Sequence, residues 1–113
     1  MARTDVTASQ LVTGLSADLP IPRQATTSRV VVNNDAVRVI EFAMDTDQEL
    51  TDHSAPRPVV VQMLAGSLEF RVLGTTSTLA PGDVVYLAPN DRHSLIATQP
   101  SRFALVMIMT MDG

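Results

Sequence analysis

Residues 59–73, VVVQMLAGSLEFRVL, carry the clearest indication of the fold. The first part, Val59–Leu64, is rich in β-branched residues and is long enough for a buried strand. Gly66 marks a turn, and apolar residues then alternate with charged ones over Ser67–Leu73. Because successive strand residues point to opposite faces, this alternation places one face in a core and the other in water. The stretch therefore predicts two strands joined by a short turn.

The same pattern continues on both sides, where short apolar runs are separated by turn residues such as Asn33-Asn34-Asp35 and Pro81-Gly82-Asp83. The polar segment Asp45–Thr51 is expected to be a loop. About eight to ten short strands without a long amphipathic helix are typical of a β-sandwich or barrel, so the prediction is an all-β fold. The remaining strands are predicted at Arg29–Val32, Val37–Met44, Thr76–Leu79, Val84–Leu87, His93–Ala97 and Phe103–Met109.

The composition of the 113 residues bounds the class of protein. The chain has no cysteine, which excludes disulfides, thiolate zinc sites and thiol catalysis. Its eight basic residues are all arginines, and its net charge is −4 with no basic cluster. These features argue against nucleic-acid and membrane partners, since both require concentrated positive charge or long apolar segments. We expect a soluble cytoplasmic protein.

The first 27 residues differ from the rest, because they are rich in Thr, Ser, Ala and Pro. Residues 1–27 are predicted to form an N-terminal arm, and residues 28–113 a single β-domain. The arm is expected to be poorly structured with one turn of helix, because Gly14 and the threonines weaken the short helix that Val6–Leu15 could form. Its alternative role is to lie across a partner subunit.

Any reactive chemistry in this chain must use its only two histidines, His53 and His93, its carboxylates or a bound cofactor. The sequence has no glycine-rich phosphate loop, no lysine and no zinc-protease motif. No serine or threonine has a histidine and a carboxylate nearby in sequence that would suggest a nucleophile.

Two stretches around these histidines resemble the two motifs of the cupin superfamily: DQELTDHSAPRPVVVQMLAG over Asp47–Gly66 and GDVVYLAPNDRHSLIA over Gly82–Ala97. When the two motifs are aligned with this chain, no gap is needed. His53 then matches the first histidine of the first motif, and His93 matches the histidine of the second motif. The chain is thereby identified as similar to small single-domain, RmlC-like cupins. The resemblance implies a cupin-type double-stranded β-helix, or jelly-roll barrel, with a short N-terminal arm.

The chain departs from the family pattern at half of the ligand positions. The resemblance implies a divalent metal held by three histidines and a glutamate, but Ala55 replaces one histidine and Val59 replaces the glutamate. The two remaining ligands, His53 and His93, would hold a divalent transition metal weakly. Glu41 would complete the shell only if it pointed inward. At four other motif positions this chain also differs from the family: the motif glycines are replaced by Asp47 and Asn90, the proline by Ala88 and the final asparagine by Ala97.

The substitutions also predict a cavity that is more apolar than a metal site. In this register, alternation points Val59, Val61 and Met63 inward with His53. A small-molecule pocket typically combines apolar walls with a few convergent polar groups, so His53, Val59, Met63 and His93 are the predicted ligand-binding residues. The competing interpretation is that the apolar residues fill the barrel core, and we favour it for Val61.

Three functions remain open on the sequence. The first is a cupin that binds a small organic ligand with an incomplete or absent metal site. The second is a metal-dependent enzyme of dioxygenase, isomerase or decarboxylase type that uses His53 and His93. The third is a structural dimerisation module. The resemblance also implies a homodimer, since single-domain cupins often pair sheet to sheet, and exposed sheet edges favour pairing.

Overall fold

The computed structural model describes residues 2–109, which form nine antiparallel strands in two sheets. One sheet has five strands in the order β1-β2-β9-β4-β7, and the other has four in the order β3-β8-β5-β6. This architecture confirms the all-β jelly-roll prediction. The strands are β1 Thr26–Asn33, β2 Val37–Met44, β3 Glu49–His53, β4 Val59–Ala65, β5 Leu68–Val72, β6 Thr75–Leu79, β7 Val84–Leu87, β8 His93–Ala97 and β9 Ser101–Ile108.

The two sheets face each other across one hydrophobic core. On β4, Val59, Val61 and Met63 are buried while Gln62 is exposed, as the predicted alternation requires. At the centre the rings of Phe42 and Phe103 stack with centroids 4.8 Å apart. The core residues from both sheets are Met44, Val59, Val61, Met63, Leu68, Phe70, Leu79, Leu87, Leu95, Ala97 and Phe103.

The prediction of a loop over Asp45–Thr51 is partly wrong, because Glu49–His53 forms strand β3. This strand lies at the edge of the four-stranded sheet and pairs only with β8. Its sequence, ELTDH, is mostly exposed and polar, so it lacks the alternation that identifies a half-buried strand. A register shift between Leu50 and His53 further obscures the pattern.

Residues 2–25 precede β1 and contain no helix, so a short helix over Val6–Leu15 is not formed. The Asp5 carboxylate accepts hydrogen bonds from the backbone N–H and the hydroxyl of Thr7, and only one turn forms there. Gly14 has φ of +73°, which a right-handed helix cannot contain. Within residues 2–109 the structure holds no helix long and apolar enough to cross a bilayer.

The arm instead packs on the outer face of the five-stranded sheet, over the fully buried carboxylate of Glu41. Arg29 pairs with this carboxylate at 3.0 Å and Arg102 pairs with it at 3.5 Å. Each arginine also donates to a backbone carbonyl of the arm, Arg29 to Gly14 and Arg102 to Leu19. Two shared cations therefore connect the arm to the sheet.

Candidate functional site

Five strands bring their ends together at one end of the barrel, which we call the histidine end. Strand β3 ends at His53 and β8 begins at His93, and these two residues are register partners. Val72, the last residue of β5, is the partner of His93 on the other side of β8. Short loops connect β3 to β4 and β7 to β8, so Val59 and Leu87 lie at the same end.

The two imidazoles meet at this end. Their Nε2 atoms are 2.9 Å apart, and the ring centroids are 4.1 Å apart with an interplanar angle of 65°. The ring of Phe70 lies nearly parallel to His93 at a centroid distance of 6.0 Å. The sequence-based prediction that His53 and His93 converge is thus confirmed by the geometry.

The other ring nitrogens fix the tautomers. Nδ1 of His53 lies 2.8 Å from the carbonyl oxygen of Thr51, and Nδ1 of His93 lies 3.1 Å from that of Asp91. A carbonyl oxygen only accepts, so both Nδ1 atoms must carry a hydrogen. A hydrogen bond between the Nε2 atoms additionally needs a hydrogen on one of them, with the other as the acceptor.

The two histidines differ in burial. His93 is only 6% exposed, whereas His53 belongs to the exposed residues. Burial lowers the pKa of His93 below its ordinary value of 6.5, and the charge of His53 lowers it further. The hydrogen bond to Asp91 and the charge of Asp52 oppose this shift. The net shift favours the neutral form of His93, whose Nε2 is then an acceptor.

The remaining residues predicted for the site are divided between the two ends of the barrel. Val59 lies at the histidine end, where Ala55 also packs against the core. Met63 is four residues farther along β4, about 13 Å away, and pairs with Phe103. Val59 and Met63 are 3% and 1% exposed, so both are packed into the core.

The residues at the histidine end do not fit a complete metal site. Within residues 2–109, no group of three or more His, Asp or Glu side chains is arranged to hold a metal ion. Glu41 points to the opposite side of its sheet, where Arg29 and Arg102 neutralise it.

The structure also has two adjoining grooves that the sequence did not predict. They lie along the outer face of the four-stranded sheet, with volumes of about 390 and 400 Å³. Both grooves are lined by Asp52, Arg71 and Ser94. These residues belong to three different strands, and only the register of the sheet reveals that they are neighbours.

Comparisons with known proteins agree with this architecture. A conserved protein of unknown function from Streptococcus pyogenes superposes with a TM-score of 0.82 at 23% identity, covering 98% of this chain and 97% of that one. A cupin superfamily protein from Desulfitobacterium hafniense gives 0.81 at 12% identity, with 91% and 94% covered. An RmlC-like cupin from Desulfovibrio desulfuricans gives 0.80 at 16% identity, with 91% and 100% covered. At these identities the likeness shows the fold alone.

None of the curated proteins matches the sequence. Residues 36–110, however, match the family described as the AraC-like ligand binding domain. This match spans most of the chain, from before β2 to the end of β9, and includes both histidines. The chain belongs to the family of AraC-like ligand-binding domains and has the fold of small RmlC-like cupins.

Proposed function

We propose that this domain binds a small organic molecule at the histidine end of the barrel, through a hydroxyl or carboxyl group that inserts between His53 and His93 and replaces their direct contact. The observation that carries the proposal is the 2.9 Å contact between the two Nε2 atoms, combined with the two Nδ1 atoms that face carbonyls. A hydroxyl both accepts and donates, so it matches one imidazole donor and one imidazole acceptor. The description of the matched family as a ligand-binding domain supports the proposal.

Access and packing limit where such a ligand binds. His53 is exposed, so a ligand reaches the pair from solvent through this residue. Val59 lies at the same end of the barrel, where its buried side chain would provide apolar contact. Met63, by contrast, fills the core at the far end, so it contacts a ligand only if core side chains move. We therefore propose a shallow site with a compact ligand.

The test combines native mass spectrometry of the purified protein with a thermal-shift screen of small hydroxy acids, sugars and aromatic alcohols. We expect one compound class to stabilise the wild type, and His53→Gln or His93→Gln to weaken its binding about tenfold, since each removes roughly one hydrogen bond. Gln62→Ala, an exposed position on the outward face of β4, serves as the control and should bind normally. Equal binding by wild type and both histidine variants would exclude this site.

A metal-dependent activity is a second candidate, which the convergence of two Nε2 atoms favours. Histidines that ligate metals usually donate their other ring nitrogen to a carbonyl or carboxylate, as both do here. With two protein ligands, solvent or substrate oxygens would have to complete the shell. Elemental analysis of untagged protein tests this candidate. Stoichiometric metal that is lost in His93→Ala would favour it over metal-free ligand binding.

A further inference from the structure

We infer that the outer face of the four-stranded sheet carries a second site, which recognises a short zwitterion such as a dipeptide. The two adjoining grooves on this face share Asp52, Arg71 and Ser94, and together they form one trough along β8. This trough lies on the side of the sheet that faces away from the barrel core. His93 lines one of the two grooves, whereas His53 lines neither. The trough therefore adjoins the site proposed between His53 and His93, but its charged groups lie on the outer face and it does not include His53.

One end of the trough is acidic. Ile96 of β8 is the register partner of Glu49 on β3 and of Glu69 on β5. Since neighbouring strands are about 4.8 Å apart, the two glutamates flank Ile96 at about 10 Å from each other. Both glutamates are exposed and line the same groove. A ligand ammonium group over Ile96 would lie between two carboxylates.

The other end is basic. Two residues along β8 from Ile96, Ser94 has Arg71 as its register partner. Arg71 donates from Nε to the hydroxyl of Thr76 at 3.3 Å, which orients its guanidinium and leaves both terminal amino groups for a ligand. Within residues 2–109, no carboxylate forms an ion pair with Arg71.

The neighbouring cation, Arg92, has a partner already. It bonds to Asp52 at 2.8 Å, and both side chains are more than half exposed. Arg71 is consequently the group best placed to receive a carboxylate, with the hydroxyl of Ser94 beside it.

The spacing of the two ends selects the ligand. Two residues along a strand span about 6.6 Å, which is the separation of the Glu69 and Arg71 positions. A fully extended dipeptide spans about 7 Å between its termini. The ammonium and carboxylate groups of a free α-amino acid are too close together to reach both ends. An ω-amino acid as long as the dipeptide would present the same two charges at the same spacing. The half-buried side chain of Ile96 provides an apolar floor between them.

The experiment is a titration of ¹⁵N-labelled protein with L-alanyl-L-alanine, followed through the backbone amide signals of Ser94 and Ile96. N-acetylated and C-amidated forms of the same dipeptide each remove one charge. We expect the zwitterion to bind, and both blocked forms to bind several-fold more weakly. Because the trough is open to solvent, each ion pair contributes modestly, and Arg71→Gln or Glu69→Gln should weaken binding roughly fivefold.

Arg23→Gln removes the same charge from an exposed position outside the trough and serves as the matched control. His53→Gln should leave dipeptide binding unchanged, which separates this site from the one proposed for the barrel. Circular dichroism checks that each variant is folded. Absence of shifts with the zwitterion, equal binding of a blocked form, or normal binding by both Arg71→Gln and Glu69→Gln would each overturn the inference.

Discussion

Four single residues show what the glycines of the cupin motifs do. The motif glycine positions are occupied here by Asp47, Gly66, Gly82 and Asn90, and all four have positive φ, between 69° and 96°. The left-handed region is open to glycine and is tolerated by Asn and Asp far better than by bulkier residues. The two departures from the motif therefore preserve the backbone conformation, and the loops that hold the histidines keep their shape.

The two glycines among these four residues, Gly66 and Gly82, have different surroundings. Substituting them by alanine should therefore lower the free energy of unfolding by different amounts. A Cβ on Gly66 would lie 2.3 Å from the carbonyl oxygen of Pro100 and 2.7 Å from Cα of Ser101, whereas a Cβ on Gly82 would meet nothing within 4 Å. Gly82→Ala should lose only about 1–2 kcal/mol of unfolding free energy, from backbone strain. Gly66→Ala adds a backbone clash and should lose about 3 kcal/mol or more. Urea denaturation of both variants measures the difference, and equal losses would contradict the close approach at Gly66.

The buried imidazole of His93 predicts that acid destabilises the protein. A histidine whose pKa is lowered by folding binds fewer protons in the native state than in the unfolded one. Stability should therefore be complete above the unfolded value of about 6.5 and should fall as the pH drops below it. The charged groups that face His93 are His53 and Asp52, which act in opposite directions.

Urea midpoints at pH 7.5 and 5.5 measure this effect. His93→Gln, which does not titrate, should lose less stability over that interval than the wild type. If the two proteins lose stability in parallel, other groups control the acid response.

The sequence predicted the histidine pair because both histidines match spaced motif positions. It did not predict which nitrogens meet, since the tautomers follow from the backbone carbonyls of Thr51 and Asp91. Nor did it predict the trough on the outer sheet face, whose charges come from strands distant in the chain.

At the scale of elements, most strands with strong apolar patterns were predicted to within a residue or two, and Val37–Met44, Val84–Leu87 and His93–Ala97 match their predicted bounds. Strand β1 is the exception, because it begins at Thr26, three residues before the predicted Arg29. Strand β3 was missed because its position at a sheet edge exposes most of its residues. Edge strands bury less apolar surface, so periodicity identifies them poorly. The arm was likewise recognisable only by composition, since backbone carbonyls and arginines attach it to the sheet.

The contact between the arm and β2 predicts that Glu41 is important for stability. Its carboxylate is fully buried between Arg29 and Arg102, and the Arg102 side chain is only 11% exposed. Glu41→Ala would leave the Arg102 charge without its partner, and should cost about 3–5 kcal/mol of unfolding free energy. Glu41→Gln keeps the volume and tests the charge alone, should the alanine variant fail to fold.

Asp35→Ala is the control, because the Arg3–Asp35 pair is exposed on both sides and should contribute less than about 1 kcal/mol. Trypsin cleavage after the exposed Arg23 should also accelerate in Glu41→Gln, since the arm would bind the sheet more weakly. Similar stability losses in the Glu41 and Asp35 variants would show that the buried carboxylate does not organise the arm.

At the scale of the whole molecule, the outer face of the five-stranded sheet carries an apolar row in addition to the arm. Register partners place Val39, Val106, Val60 and Tyr86 in one row across β2, β9, β4 and β7. Tyr86 is 62% exposed, and Val84 on the same strand is 59% exposed. A row of this kind beside an edge strand is typical of a surface that pairs with another copy. We therefore expect a homodimer in which the outer faces of the five-stranded sheets pack together.

Light scattering after size-exclusion chromatography measures the mass in solution. At about 10 µM, the wild type should elute at twice the 12.2 kDa of the chain. Tyr86→Glu places a charge in the apolar row, and desolvating that charge on association should shift the protein to monomer. Leu73→Glu introduces the same charge at a 70% exposed leucine in the turn between β5 and β6 of the opposite sheet, and should remain dimeric. If Leu73→Glu dissociates the protein while Tyr86→Glu does not, the copies pair through the four-stranded sheet instead, and the trough along β8 would then lie within the dimer interface.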